Sequence, residues 1–128
     1  MWNTQEVQLR YSHDPIAKAK AQKWELIKDL RNIKDTSGFL YLDKWFDSDA
    51  AARRNISDAV QIASLAADYS VEWTLADDSS VFLNAEQVKG MGIALGIHVN
   101  QNHQISKALR SQIMSATTLQ EVDDVRWP

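Results

Sequence analysis

The stretch DKWFDSDAAARR, at positions 43–54, decides how the first half of the chain is interpreted. An aromatic pair, Trp45-Phe46, lies among three aspartates and is followed by alanines and two arginines. This order is typical of a strand that gives way to a capped helix, because a carboxylate can accept the free amides of the first helical turn. Acidic side chains also favour the positive N-terminal end of a helix. We therefore predict a strand that ends near Phe46 and a helix capped by Asp49 or by one of the two residues before it.

The same stretch predicts a contact between the strand and the helix. Asp49 and Arg53 are four residues apart, so their side chains face each other on a helix. Arg53 or Arg54 is expected to reach back to Asp49 or to an acid of a hairpin and so to fix the angle between hairpin and helix. Trp45 is expected in the core, where its truncation to alanine would cost ~3–5 kcal/mol.

Upstream of this stretch, the pair Asp14-Pro15 indicates the start of a long helix. Aspartate accepts a free amide at the N-cap, and proline lacks one at the first helical position. The helix is predicted to reach about Lys34, and its apolar stripe recurs near the helical period. The stripe consists of Ile16, Ala17, Ala21, Trp24, Ile27 and Leu30. The other face is basic, which fits either an anionic partner or, as we favour, a solvated helix face.

Two short hairpins are predicted. In the first, Phe39, Tyr41 and Trp45 are placed on one side, and Asp43-Lys44 is the turn. The second is the segment VEWTLADDSSVFL at 71–83, in which apolar residues alternate with polar ones on both sides of an Asp-Asp-Ser turn. Trp73 is the central aromatic of this second hairpin and is expected in the core.

A second long helix is predicted over 85–116, opened by a capping box that Asn84 and Gln87 form. Some 30 residues at ~1.5 Å rise would extend about 45 Å. A compact domain of this chain length measures only ~28 Å across. The helix is therefore expected either to break near 96–104 or to project and pack on another chain. A short helix capped by Thr117 or Thr118 and a terminal hook at Trp127 complete the chain.

Together these elements predict a mostly helical α+β fold. It has three main helices, two small β-hairpins and a short C-terminal helix, with residues 1–13 as an extended arm and 14–128 as one domain. Six residues are predicted as structural anchors on account of their aromatic or capping character. They are Trp24, Trp45, Asp49, Arg53, Trp73 and Trp127.

Composition excludes several classes of function. The chain has 128 residues and a formal net charge of −3, so no overall positive field favours nucleic acid. The absence of cysteine removes disulfides, thiol catalysis and the usual zinc sites. No apolar run approaches ~20 residues, and the N-terminus lacks the pattern of a signal peptide, so neither a membrane span nor a leader is expected.

The polar residues do not form a recognisable catalytic or metal motif. The acids at 47–49 lack the glycine and the closing glutamate of a calcium loop, so caps and turns are the better interpretation. His98 and His103 are five apart, which places them about 140° apart around a helix and off a common ligand face. We predict no catalytic residue, no metal site and no cofactor.

Four segments, in order, resemble a known family. They are KWELIKDLR, WFDSDAAARRNI, VEWTLADDSSVFL and the C-terminal HVNQNHQISKALRSQIMSATTLQEVDDVRWP. Their order is similar to that of a domain of unknown function found, usually at the C-terminus, in tailed-phage and prophage tail-fibre and related tail proteins. The resemblance covers roughly residues 16–128. It departs from the family in the short arm that stands where a long fibre segment is expected, and in Asn84 with its glycine-rich stretch. The resemblance implies a virion or tail-assembly setting and no enzymatic activity.

The predicted function is that of a non-catalytic phage tail component, a structural, adaptor or assembly (chaperone) protein that binds a tail-fibre or baseplate protein. The arm, with Trp2, Val7, Leu9 and Tyr11, is predicted to add a strand to a partner sheet. The long C-terminal helix is predicted to bundle in a homo-oligomer. The expected location is the virion tail, or the host cytoplasm during assembly. The alternative is a small-ligand or carbohydrate-binding module that recognises the host surface through exposed Trp and Asp residues.

Overall fold

The computed structural model describes residues 14–128, so the predicted arm at 1–13 lies outside the described residues. Helices and two antiparallel two-stranded sheets alternate along the chain. In order they are α1 (Pro15–Thr36), β1 (Phe39–Tyr41), β2 (Lys44–Phe46), α2 (Ala50–Leu65), β3 (Ser70–Thr74), β4 (Ser80–Asn84), α3 (Ala85–Ser115) and α4 (Leu119–Asp123). The prediction of a mostly helical α+β fold with two small hairpins is confirmed.

The helices begin where the sequence predicts them, because the capping side chains make the expected hydrogen bonds. The amide of Ile16 donates to Asp14 Oδ1 at 2.9 Å. The amides of Asn84 and Gln87 each donate to the other residue's side chain at 2.9 Å, which completes the predicted capping box. Thr118 caps α4 by accepting from the amide of Glu121 at 3.1 Å. Each cap satisfies an amide that the helix leaves without a partner.

The chain divides into two compact units. The terminal unit comprises the described residues 14–32 and 102–128, and the central unit comprises residues 33–101. Helices α1 and α3 contribute residues to both units. The prediction of one domain over 14–128 stays a prediction.

The core of the central unit lies between the two hairpins, α2 and the first half of α3. It is built from large side chains that alternate along the strands and recur at the helical period. Its most deeply buried members are Phe39, Phe46, Ile56, Leu83, Val88 and Met91. Helix α3 passes close to α2 at Gly92. A Cβ added there would lie only 2.7 Å from Val60 Cγ2, so the absence of a side chain allows this approach.

The core of the terminal unit is smaller and centres on Trp24. Trp24, Ile27, Leu109, Ile113 and Val125 are buried together, and Trp127 packs half-buried against them. The Lys28 Nζ atom lies 5.6 Å from the centre of the Trp24 ring. The Arg110 Cζ atom lies 5.5 Å from the same centre. Both cations are within the range of cation–π attraction.

Much of the basic face of α1 is used inside the terminal unit. Lys20 Nζ donates to the carbonyl of Met114 at 2.9 Å, near the C-terminal end of α3. Lys23 Nζ donates to the carbonyls of Asp123 and Val125 at 3.1 and 3.2 Å. Cations suit these positions because helix C-termini leave carbonyls without partners and carry a partial negative charge. The basic face of α1 is therefore only partly solvated, and these two lysines hold the C-terminal segment by hydrogen bonds.

Helix α3 is continuous over its 31 residues, so the first of the two predicted alternatives, a break near 96–104, is wrong. The second alternative, packing on another chain, stays a prediction. The polar middle of the helix does not interrupt it, because its side chains find partners without unwinding the backbone. His98 Nε2 lies 2.9 Å from the carbonyl oxygen of Lys34. A carbonyl oxygen only accepts, so this nitrogen is the donor. Asn102 is buried at 7% exposure and also has a partner.

Candidate functional site

The β1–β2 hairpin turns one residue earlier than predicted. Tyr41 pairs with Lys44 and Phe39 with Phe46, so the two turn residues are Leu42 and Asp43. Their φ angles are 51° and 58°. This is the left-handed conformation that the tightest hairpin turns require at both central positions. Aspartate tolerates it better than leucine does, because its short polar side chain can bond locally. The turn residues that sequence reasoning chose, Asp43-Lys44, are therefore wrong by one position.

This turn determines where Trp45 points. A two-residue turn pairs odd-numbered residues of one strand with even-numbered residues of the next, so the inward face that begins at Phe39 continues at Phe46. Trp45 instead lies opposite Leu40 on the outer face, and the two are 59% and 56% exposed. The predicted placement of Trp45 in the core is wrong, because Phe46 takes that place. The inner face is anchored by Tyr41, whose hydroxyl donates to the Gln87 carbonyl at 2.7 Å.

The β3–β4 hairpin has the predicted strands, but its turn lies one residue earlier than predicted. Trp73 lies opposite Val81, and both are half-buried against the core of the central unit. The amide of Leu75 donates to the Ser79 carbonyl at 2.7 Å, and the amide of Asp78 donates to the Leu75 carbonyl at 3.0 Å. Asp78 has a φ of 68°. The loop is therefore a tight turn followed by one left-handed residue.

The Asp77 carboxylate is held by hydrogen bonds within this loop. Its Oδ1 accepts from the hydroxyl of Ser79 at 2.6 Å and from the amide of Ser79 at 3.0 Å. Because these bonds favour the ionised form, they lower the pKa of Asp77, and Lys44 adds a smaller effect in the same direction. Asp77 is therefore an oriented hydrogen-bond acceptor at neutral pH.

The two hairpins meet at a groove of about 520 Å³, which we call the hairpin groove. The amide of Ala76 donates to the Trp45 carbonyl at 3.0 Å and joins the second hairpin loop to β2. Leu75, buried at 5% exposure, is the least exposed residue of the groove. The groove is lined by Asp43, Lys44, Trp45, Leu75, Ala76, Asp77 and Ser79.

The base of the first hairpin is fixed by a buried hydroxyl that sequence reasoning treated only as a candidate helix cap. Ser48 is fully buried; its Oγ accepts from the amide of Gly38 at 2.8 Å and donates to the carbonyl of Asp35 at 2.6 Å. Gly38 has a φ of 101° and would carry a Cβ only 3.0 Å from the Phe46 carbonyl oxygen. Glycine is needed here, and the clue in the sequence is the Ser-Gly pair that follows α1.

The predicted pair of Asp49 and Arg53 is only partly present. Asp49 caps α2 by accepting from the amide of Ala52 at 2.8 Å, and its carbonyl accepts from the amide of Arg53 at 2.9 Å. Within residues 14–128, however, no ion pair joins Arg53 or Arg54 to a carboxylate. The expected clamp is wrong, because the aspartate oxygen bonds a helix amide instead. An ion pair at so accessible a position would gain little.

The remaining predicted residues are distributed over both units. Trp24 is buried at 6% exposure and Trp127 is half-buried in the terminal unit, whereas Trp73 is half-buried in the central unit. The predicted partner-binding residues Trp2, Val7, Leu9 and Tyr11 lie outside the described residues. Of the aromatic candidates within residues 14–128, the structure brings only Trp45 to the hairpin groove.

Sequence reasoning missed an exposed apolar face on α3. Ile93 and Ile97 are 64% and 53% exposed. Their spacing of four residues places them side by side on the helix. The opposite face of the same turns carries Met91 and Leu95, which are buried in the central unit. The sequence does carry a signal for this face. Apolar residues occur all around this part of the helix, whereas a helix with one buried face needs them only along one stripe.

No metal centre or membrane span is present in the part of the chain that the structure describes. Among residues 14–128, no three His, Asp or Glu side chains come together in a way that would hold a metal ion. Over the same residues, no helix has both the length and the apolar character that crossing a membrane requires.

Comparisons with known proteins identify the family. Searches of curated proteins and of solved structures gave no match. A family model described as a domain of unknown function, DUF4376, matches residues 18–126. That match includes all of the central unit, most of the described terminal unit and every residue that lines the hairpin groove. The chain belongs to the DUF4376 family.

Proposed function

We propose that this chain is a non-catalytic component of a bacteriophage tail, a structural, adaptor or assembly protein that acts by protein–protein binding. The phage setting is supported by the order of the four motifs that resemble tail-fibre and related tail proteins. Its partner would be a tail-fibre or baseplate protein, and association with copies of itself in a homo-oligomer is a separate part of the proposal. Its location would be the virion tail, or the host cytoplasm during assembly.

The observation that supports binding is the exposed pair Ile93 and Ile97. Burial of an isoleucine side chain stabilises by roughly 1.5–3 kcal/mol relative to exposure, so this half-exposed pair gives the fold only part of that gain and would add the rest at an interface. The helix that presents it is held from behind by buried Met91 and Leu95. A rigid helix loses little conformational entropy on binding, which favours association through such a face.

The proposal is tested by co-purification of the tagged chain with tail-fibre and baseplate proteins encoded in the same genome. A double variant, Ile93→Ser with Ile97→Ser, is expected to weaken capture by at least about tenfold, because it removes the apolar contact without touching the core. The matched control is Ile62→Ser with Leu65→Ser, which changes another exposed pair, 46% and 90% exposed, on α2.

Capture that survives in the α3 variant and is lost in the control would contradict this use of α3. A wild-type chain that captures no tail protein would contradict the proposed function itself. A chain without residues 1–13 that keeps full capture would show that the predicted arm is not the anchor.

A further inference from the structure

The hairpin groove has side chains of the kinds that hold a small ligand. It combines an indole that is 59% exposed, a buried aliphatic residue at Leu75 and several polar side chains. Its volume of about 520 Å³ falls inside the range of roughly 300–1,000 Å³ that small-molecule sites occupy. We propose that the groove binds a neutral saccharide, with one pyranose ring stacked on Trp45 and its hydroxyls bonded to Asp77 and Asp43. This site is separate from the α3 face and does not depend on it.

Trp45 is suited to be the platform because its backbone is fixed while its ring is exposed. The carbonyl of Trp45 accepts from Ala76, and its strand partner across the hairpin is Leu40. A Cβ at Gly38 would lie 3.8 Å from Trp45 Cε3, so the backbone of Gly38 runs close beside the edge of the ring. A pyranose presents a patch of C–H groups on one face, and such a patch packs on a flat aromatic surface. The indole also has an N–H for a hydroxyl of the ligand.

The polar groups match a ligand rich in hydroxyl donors. An ionised carboxylate only accepts, and a sugar offers several O–H donors at fixed angles. Asp77 is oriented by Ser79 through one oxygen, Oδ1, so its other oxygen is available to the ligand without reorganising the loop. Lys44 supplies a donor at the same groove for a ring or hydroxyl oxygen. A positioned acceptor and donor beside an apolar platform give orientation as well as affinity.

The arrangement disfavours a peptide that would add a strand. The amides of Leu75 and Ala76 already donate to the Ser79 and Trp45 carbonyls, and the amide of Ser79 donates to Asp77. The backbone along the groove therefore offers none of these donors to an extended chain, which strand addition would need.

The charges disfavour an anionic glycan. Two carboxylates, Asp43 and Asp77, face one cation, Lys44, so the groove carries a net negative charge. A sugar acid would meet this charge at short range, whereas a neutral sugar would only exchange hydrogen bonds with water for bonds to the carboxylates.

The test is a titration of the full ¹⁵N-labelled chain, followed through the Trp45 indole N–H resonance, which the Trp45→Phe variant assigns. The probes are neutral glucose, mannose and galactose oligosaccharides of equal length, with an oligogalacturonate and a proline-rich peptide as competitors of other chemistry. We expect at least one neutral probe to shift the Trp45 resonance in saturable fashion at up to about 10 mM, with little response to the oligogalacturonate.

The variants Trp45→Ala and Phe82→Ala form a matched pair, because both remove a largely exposed aromatic from a hairpin and only Trp45 lines the groove; Phe82 is 71% exposed. Trp45→Ala is expected to weaken saccharide binding, measured by calorimetry, by at least about tenfold, and Phe82→Ala to leave it unchanged. The proposal is overturned if no neutral probe shifts Trp45, if the anionic probe or the peptide binds there instead, or if Trp45→Ala binds as tightly as the wild type.

Discussion

At the scale of single residues, the two tryptophans Trp24 and Trp45 show what a sequence pattern can and cannot place. Trp24 lies on a helix, where the period of the apolar stripe alone predicts an inward position. Trp45 follows a two-residue turn, and any two-residue turn pairs odd-numbered with even-numbered residues. A place for Trp45 on the side of Phe39 is therefore incompatible even with the predicted turn. The register of a hairpin that short is decided by backbone conformation at Leu42 and Asp43, which the side-chain alternation does not report.

The same two residues give a stability prediction. Trp24→Ala is expected to lower the free energy of unfolding by about 3–5 kcal/mol, because it empties a buried site. Trp45→Ala is expected to lower it by less than about 1 kcal/mol, because its ring is mostly in solvent already. Chemical denaturation of both variants measures the difference. Equal losses would contradict the exposed position of Trp45.

Gly90 and Gly96 lie on the same helix, but an added side chain would meet a neighbouring residue at Gly90 and open space at Gly96. A Cβ at Gly90 would overlap the Tyr41 hydroxyl, whereas a Cβ at Gly96 would meet no atom within 4 Å. Gly90→Ala is therefore expected to destabilise by about 1–3 kcal/mol. Gly96→Ala is expected to stabilise by up to ~1 kcal/mol, because alanine favours the helix. Thermal melts at one protein concentration test both, and a gain from Gly90→Ala would contradict the contact with Tyr41.

At the scale of elements, helix starts are predictable from sequence because a cap needs only local geometry. The Asn84–Gln87 box and the Asp14 and Thr118 caps form as predicted, each within a few residues of chain. The continuity of α3 is not predictable in this way. The predicted break rests on comparing the helix length with the expected diameter of one compact domain. The helix instead supplies buried residues to two units.

The N-terminus of α2 provides a test of a cap against an ion pair. Asp49→Ala is expected to cost ~1 kcal/mol, because the amide of Ala52 loses its acceptor. Arg53→Ala is expected to stay within about ±0.5 kcal/mol, because its side chain has no carboxylate partner among the described residues. Urea denaturation distinguishes the two. If Arg53→Ala lowers the free energy of unfolding as much as Asp49→Ala does, Arg53 forms the predicted ion pair after all.

The β3–β4 loop predicts a pH dependence with a definite sign. The pKa of Asp77 is lowered in the folded chain, so the hydrogen bonds from Ser79 stabilise fully above the ordinary pKa of 3.8 and are lost as the pH falls through the lower folded value. NMR titration of the Asp77 carboxyl should give a pKa below 3.8. In the Ser79→Ala variant, which removes the hydroxyl donor, this pKa should rise towards 3.8. An unchanged pKa in the variant would show that the hydroxyl does not hold the carboxylate.

At the scale of the whole chain, the sequence predicts the order of elements well and the proposed binding groove poorly. Element order follows from periodicity, caps and turn residues, all of which are local. The hairpin groove needs two turns that are far apart in the sequence, at Asp43 and Asp77, and a hydrogen bond from the amide of Ala76 to the Trp45 carbonyl joins them. Neither hairpin predicts that bond by itself.

The proposal that the chain acts by protein association is best tested by its mass in solution, purified alone and mixed with a tail-fibre protein encoded in the same genome. Light scattering should give a multiple of the 14.5 kDa chain mass, or a complex with the fibre protein, and the Ile93→Ser, Ile97→Ser variant should lose either. A single 14.5 kDa species under both conditions would contradict the assignment as a tail component that acts by protein binding.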